Sequence, residues 1–237
     1  MPARRFVILA VLGCLVCLTP AFGQTTGAEC TLTFDAVWSA ATHPMAFPPD
    51  PHFSGLIGGT HDELTVFWRG GDLATPGIQQ VAETGSKSQF RQEVEDAILA
   101  GFAGEVISGG GIGQSPGSRS VSFNVEPGFP FVTVVTMIAP SPDWFVGVHG
   151  LSLFENGQWV QQKVVQLPAY DAGTDSGASY TSPDVPTIPP VPIFEITQAP
   201  FPGGTSLGTF TFVCDSSLVF GDNFEDGTFG AWSSSVP

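Results

Sequence analysis

The sequence predicts an all-β protein that folds as an antiparallel β-sandwich with one short helix. Glycine and proline are frequent, with 29 and 21 copies in 237 residues, and this composition favours many turns and short strands. Hydrophobic residues make up 42% of the chain and include 20 phenylalanines, enough for a substantial core. Some eight segments have strand patterns and one has a helical pattern, so two packed layers of antiparallel strands are expected.

The first predicted strand is TLTFDAVW at 31–38, in which every second residue is apolar. The alternation places Leu32, Phe34 and Trp38 on one face, as expected for a half-buried strand. The next segment, 41–62, is rich in proline and glycine and predicts a long ordered loop. Further strands are predicted at 64–68, 120–126, 131–138, 144–154, 158–167, 192–197 and 208–213.

A single helix is predicted in SKSQFRQEVEDAILAG at 86–101. Its apolar residues recur at helical spacing, at Phe90, Val94, Ala97 and Ile98. Ser86 and Gln89 have the spacing of a capping box at the start of the helix, and Gly101 is a suitable residue for its end.

The first 23 residues have the three parts of a secretion signal. Arg4 and Arg5 provide the positive start, thirteen apolar residues follow from Phe6 to Leu18, and small residues precede a cleavage point after Gly23. Thirteen apolar residues are too few to cross a bilayer, so a membrane anchor is not expected. The expected secreted protein therefore has a signal peptide at 1–23, one β-sandwich domain at 24–214 and a tail at 215–237.

The chain is strongly acidic once the leader is removed. It then has five Lys and Arg residues against 22 Asp and Glu residues, a formal charge of −17. This excludes nucleic acid as the expected partner, because phosphate binding needs clustered cationic side chains. An acidic protein instead attracts cations, although most of its carboxylates belong to a solvated surface.

Two cysteines, Cys30 and Cys214, remain after the leader, one near each end of the domain. An even number of cysteines in an exported chain predicts a disulfide. The bond would close a loop of about 180 residues and stabilise the fold by ~5 kcal/mol in the chain-entropy model. Two buried free thiols are the alternative.

Two aspartates stand four positions apart among glycines, in DAGTDSG at 171–177. Asp171 and Asp175 have the residue type and the turn context in which Ca²⁺ is bound by about six to eight oxygens. Asp143, in APSPDWFVGV, precedes a strand, and the loops at one end of a sandwich lie together, so all three aspartates are expected to meet at one calcium ion. Turn aspartates that only accept backbone N–H groups are the alternative. Asp184, in a proline-rich connector, is expected to contribute less to calcium binding.

Two short segments match catalytic signatures. GQSPG at 113–117 has the form G-x-S-x-G, but Ser115 lacks the flanking strand and helix of a nucleophile elbow. TDSG at 174–177 resembles the signature of aspartic proteases, which need two such motifs, and this chain has one. A hydrolase that uses Ser115 or Asp175 is therefore an alternative to a non-enzymatic function.

Four segments together resemble the spondin N-terminal domain family, the family of F-spondin and mindin. They are TFDAVWSAATHPMAFPPDPHFSGLIGGTHD, FWRGGDLATPGIQQVAETG, APSPDWFVGVHGLSLF and DAGTDSG, and they occur in the family's order. The resemblance extends from about residue 30 to residue 197 or beyond, which is most of the mature chain.

The resemblance implies a C2-like β-sandwich with a calcium ion at one end. In the family, the metal carboxylates lie in segments that correspond here to Asp143, Asp171 and Asp175. It also implies a secreted, non-enzymatic adhesion or recognition module with an extracellular or cell-surface protein or glycan as its partner. The short leader and the single-domain layout indicate a prokaryotic relative.

Two further expectations concern lipid and the tail. The C2-like fold leaves a calcium-dependent lipid-binding module as another alternative, by analogy of fold alone. In the tail, Asp222, Glu225 and Asp226 are candidates for a second cation site, and a solvated tail is the alternative.

Overall fold

The computed structural model describes residues 26–215, so the predicted leader and the residues of the tail beyond 215 lie outside the described residues. Two helices occur in this range, α1 (Pro76–Thr84) and α2 (Ser88–Leu99). The strands are β1 (Ala28–Ala36), β2 (His52–Phe53), β3 (Ile57–His61), β4 (Ala103–Ser108), β5 (Gly117–Val125), β6 (Phe131–Ala139), β7 (Trp144–Ser152), β8 (Phe154–Glu155), β9 (Gln158–Trp159), β10 (Lys163–Gln166), β11 (Tyr170–Asp171), β12 (Phe194–Glu195) and β13 (Gly208–Asp215).

The strands form two main sheets. The first sheet has the order β10-β13-β1-β5, and the second has the order β12-β11-β7-β6-β3-β4, with β2 also paired to β6. Strands β8 and β9 form a separate hairpin. All the strand pairs are antiparallel. The predicted antiparallel β-sandwich is confirmed.

The main core lies between the two sheets. Strand β1 buries every second residue, because its alternating apolar side chains face the second sheet while the others face solvent. The ring of Phe34 meets Phe210 of β13 at 5.3 Å and Phe53 of β2 at 4.8 Å, both edge to face. The predicted inward face of the first strand is therefore confirmed.

A second core lies between the second sheet and the two helices. Ile57, Val135 and Phe145 of the sheet pack against Phe90 and other apolar residues of the helices. Strand β6 is thus covered on both faces, which explains why its sequence is a continuous apolar run. No helix within residues 26–215 is long and apolar enough to span a membrane.

The predicted helix is present as α2, but its predicted capping box is wrong. The N-cap position is Lys87, which makes no side-chain capping bond, and the amide of Gln89 donates to the side-chain oxygen of Gln80 at 2.9 Å. The sequence analysis did not predict α1. This helix begins after Thr75, whose hydroxyl oxygen accepts a bond from the Ile78 amide at 3.2 Å.

One strand prediction and one loop prediction are wrong. The segment 64–68 is not a strand, and the predicted loop 41–62 contains β2 and β3. Strand β3 runs between β6 and β4 in the sheet, where the glycines Gly58 and Gly59 allow its neighbours to approach closely. A further segment, predicted as one strand at 158–167, is divided between β9 and β10.

The predicted disulfide is confirmed. Cys30 of β1 and Cys214 of β13 are bonded, and they are directly opposite each other in the antiparallel register of these two strands. The bond closes a sequence separation of 184 residues, so it joins the first strand of the domain to the last.

Candidate metal site

Strand pairing brings the predicted aspartates to one end of the second sheet. Asp143 is the residue immediately before β7, and Asp171 is the last residue of β11. Strands β7 and β11 are antiparallel neighbours, with Asp171 directly opposite Trp144. The backbone pairing continues into the loops, because the Ala172 amide donates to the carbonyl of Asp143 at 3.1 Å. Asp143 and Asp171 are therefore held side by side.

Asp143 is the innermost of the three, with 0% of its surface exposed. Its Oδ2 atom accepts bonds from the amides of Thr174 and Asp175, at 2.8 and 3.0 Å, and from the Thr174 hydroxyl at 3.3 Å. Its Oδ1 atom is buried and has no hydrogen-bond partner among residues 26–215. A buried carboxylate oxygen without a partner is costly, so this atom is a candidate ligand for a cation.

Asp171 closes a tight turn and is positioned by a tryptophan. Its Oδ1 accepts a bond from the Gly173 amide at 2.8 Å, and its Oδ2 accepts one from the indole N–H of Trp144 at 3.2 Å. Gly173 has a φ of +74°, a left-handed conformation that favours glycine. A Cβ atom at Gly173 would also collide with the carbonyl oxygen of Val191, which explains the glycine within the motif.

Asp175 joins the aspartate loop to the proline-rich connector. Its Oδ1 accepts a bond from the Gly177 amide and its Oδ2 accepts one from the Val185 amide, both at 2.7 Å. Its neighbour in space is Asp184, whose side chain is within hydrogen-bonding reach of the Asp175 carboxylate. Asp184 therefore lies beside the site although it belongs to the connector, and its expected smaller contribution to calcium binding stays a prediction.

The carboxylates crowd one another without a compensating cationic side chain. Burial raises the pKa of Asp171 to about 6, and the nearby charges of Asp143 and Asp175 add to the rise. Burial also raises the pKa of Asp143, against the effect of the backbone amides that donate to it. Within residues 26–215, none of these three aspartates forms an ion pair with Lys, Arg or His. The site therefore favours either a proton or a bound cation.

The donor set has the chemistry that calcium prefers. The side chains that meet here offer carboxylate oxygens, which are hard ligands suited to Ca²⁺, and the unpartnered Oδ1 of Asp143 is available to an ion. However, no group of three or more His, Cys, Asp and Glu side chains in the described range already has a metal-binding arrangement. The carboxylates also accept backbone N–H bonds, as the alternative interpretation predicted.

Sequence reasoning missed two contacts that position these aspartates and the proximity of Asp184. The indole of Trp144 holds Asp171, the backbone of Thr174 holds Asp143, and Asp184 lies beside Asp175. Trp144 follows Asp143 directly in the chain, so the motif itself was a signal for its role. The contact of Asp184 depends on how the connector folds back, and no local pattern indicates it.

The alternative catalytic residue Ser115 lies in a different environment. Its side chain is 4% exposed, and its hydroxyl donates a hydrogen bond to the carbonyl oxygen of Trp38 at 2.8 Å. A nucleophilic serine must be accessible and must give its proton to a base. Ser115 instead has the geometry of a residue that fixes a loop.

Comparison with known proteins connects this fold and site to one family. A family model described as Spondin_N matches residues 28–204. Spondin-2 of Rattus norvegicus is 34% identical over 211 residues, which cover 81% of this chain and 61% of Spondin-2. Spondin-1 of Rattus norvegicus is 35% identical over 217 residues, which cover 83% of this chain and 25% of Spondin-1. The chain thus spans less than two thirds of these relatives, but the family model covers most of the chain, which belongs to the spondin N-terminal domain family.

Proposed function

We propose that this domain is a secreted, non-enzymatic adhesion or recognition module that binds calcium at Asp143, Asp171 and Asp175. The observation that carries the proposal is the buried Oδ1 of Asp143, which has no partner within 26–215, beside two further carboxylates that form no ion pair in that range. A divalent cation at this point replaces repulsion between the carboxylates by attraction to the ion. It also connects the start of β7 with the end of β11.

The surrounding residues prepare the carboxylates for this role. The Thr174 and Asp175 amides hold one oxygen of Asp143 and leave the other one available. The indole of Trp144 fixes the orientation of Asp171. When calcium is bound it supplies positive charge and fixes the loop geometry, and we assign it a structural role.

The recognition function is supported by family membership and by charge. The relatives are Spondin-1 and Spondin-2, and the chain matches the part of them that this family model describes. The leader predicted at 1–23 directs the chain out of the cytoplasm. The partner that fits this setting is an extracellular or cell-surface protein or glycan, and the acidic chain makes nucleic acid an unsuitable partner.

Thermal unfolding tests the calcium site. At a calcium concentration about 100 times the Kd, ligand binding stabilises a folded protein by ~2.7 kcal/mol. In a domain of this size, that corresponds to a rise in Tm of roughly 5–10 °C over the protein in EGTA. Asp175→Asn should abolish most of the rise, whereas Asp35→Asn, on the exposed side of β1, should keep it. Identical melting with calcium and with EGTA would refute the calcium site.

A screen for hydrolysis tests the non-enzymatic part of the proposal. We expect no esterase or protease activity above that of a heat-denatured sample. Activity that disappears in Ser115→Ala or in Asp175→Asn would establish the hydrolase alternative.

Calcium-dependent lipid binding is the second candidate, favoured by apolar residues close to the acidic site. Val185 and Ile188 follow Asp184 in the connector and are 50% and 88% exposed. Such side chains can enter a bilayer surface while calcium bridges the protein to anionic headgroups. Sedimentation with phosphatidylserine vesicles tests this candidate. Binding that requires calcium and is lost in Ile188→Ser would favour lipid over a protein or glycan partner.

A further inference from the structure

The connector that contains Asp184 is attached to the aspartate loop by a series of backbone bonds. The Val185 carbonyl accepts bonds from the Ser176 amide at 2.9 Å and from the Ser176 hydroxyl at 3.0 Å. Next to these, Asp175 and Pro186 form an antiparallel bridge, and the Thr187 amide donates to the Thr174 carbonyl at 2.8 Å. This pairing fixes the backbone on both sides of Asp175, and Asp184 lies at its solvent end.

Asp184 stands at the exposed side of a set of carboxylates that extends from the surface to the core. The next residue, Val185, donates its amide to the Oδ2 atom of Asp175 at 2.7 Å, so the side chain of Asp184 lies beside Asp175 and within range of Glu83 at the end of α1. Asp184 forms no ion pair with a basic side chain in the described part of the chain. At the inner end of the same set, the Oδ1 atom of Asp143 is fully buried and unpartnered. Acidic groups alone do not define a site, but this buried oxygen without a partner is an independent observation that favours a cation here.

We propose that Asp184 is a fourth carboxylate ligand of the calcium site, which binds the ion from the solvent side. The inference rests on the proposed calcium site and adds a residue to it. Calcium takes about six to eight oxygens, and three aspartates leave part of that shell open. Asp184 is exposed, so it can turn toward the ion without loss of packing.

The inner and outer ligands then have different roles. Asp143 is buried and holds the turn at 174–175 through its Oδ2 atom, so its loss would disturb the fold as well as the ion. Asp184 makes no packing contact of this kind and contributes charge and oxygen ligands alone. A ligand on the connector also means that the ion joins the connector to the aspartate loop, beside the backbone bonds already described.

Calorimetric titration with calcium chloride tests the assignment. We expect Asp184→Asn to bind calcium about tenfold more weakly than the unaltered chain, because one charged ligand is lost. Asp35→Asn removes the same charge from the exposed side of β1 and is expected to change the Kd by less than about twofold. Calcium should also slow hydrogen exchange at the Val185 amide in the unaltered chain, and less so in Asp184→Asn.

Each other outcome would count against a defined part of the argument. Equal affinity of Asp184→Asn and the unaltered chain overturns the role of Asp184 and leaves the calcium site in place. A second outcome also overturns the role. If the unaltered chain binds two ions and Asp184→Asn loses one while the other keeps its affinity, Asp184 binds a separate ion. If Asp35→Asn weakens calcium binding as much as Asp184→Asn does, the loss reflects the net charge of the protein, and the role of Asp184 as a ligand is overturned. No binding to the unaltered chain overturns the calcium site itself.

Discussion

The raised pKa of Asp171 predicts an unusual dependence of stability on pH in the absence of calcium. Burial, with the charges of Asp143 and Asp175, raises this pKa from 3.8 to about 6. The folded protein therefore holds a proton on Asp171 more tightly than the unfolded chain does. The stability that this proton provides is fully present below about pH 4 and is lost as the pH rises through about 6.

The size of the effect follows from the shift in pKa. About two pKa units correspond to ~3 kcal/mol, since one unit is about 1.4 kcal/mol. Asp171 is only partly buried, and solvent screening reduces this figure, so we expect about 1–2 kcal/mol. Burial also lowers the pKa of His61, so the stability of the unaltered chain depends on pH for a second reason, and the variant must be compared with it at each pH.

Urea unfolding in EGTA at a series of pH values measures this prediction. At pH 4, Asp171→Asn should be less stable than the unaltered chain. In the unaltered chain the indole N–H of Trp144 donates to the carboxylate, whereas the asparagine amide places an N–H near this donor. Between pH 4 and pH 7 the unaltered chain should lose about 1–2 kcal/mol relative to Asp171→Asn. Calcium at pH 7 should restore this loss in the unaltered chain only. Two parallel stability curves between pH 4 and pH 7 would refute the reasoning.

Two further predictions concern the scaffold. Reduction of the bond between Cys30 and Cys214 should lower the free energy of unfolding by about 2–5 kcal/mol, measured by urea unfolding with and without a thiol reductant. Gly58→Ala should destabilise the fold by more than about 3 kcal/mol, because the new Cβ would collide with the Thr133 carbonyl of the adjacent strand. Gly70→Ala meets no atom within 4 Å and should change the urea midpoint little, so equal midpoints for the two alanine variants would contradict the packing argument.

The strands that could be predicted are those whose own sequence shows which side chains are buried. Strand β1 buries alternate residues, and the pattern of Leu32 and Phe34 is visible without knowledge of its neighbours. Strand β3 was missed because Gly58 and Gly59 give it no apolar alternation, and its place in the sheet depends on its partners. The strand at 64–68 was predicted wrongly for the opposite reason. Its apolar residues Leu64 and Val66 indicated a buried strand, but both side chains are exposed.

Helix α1 was missed for a related reason. Thr75, Pro76 and Gly85 provide start and stop signals at the expected positions, but only nine residues lie between the caps. A side chain of α2 completes the N-terminal cap of α1. The carboxylate of Glu93 accepts bonds from the Thr75 hydroxyl at 2.8 Å and from the Gly77 amide at 2.6 Å. A contact over this distance in sequence is not part of any local pattern.

With the proposed cation, three sources of positive charge would compete for one group of carboxylates at the candidate site. Backbone amides provide partial charges, and they explain why Asp143 and Asp175 are accommodated at all. A proton is the second source, as the raised pKa of Asp171 indicates, and its contribution declines toward neutral pH. The divalent cation that we propose would be the third, and its advantage would grow over the same pH range because the carboxylates become ionised. If calcium binds here as proposed, these three sources act on the same oxygens, and the stability of the fold depends jointly on pH and on calcium at this end of the sandwich.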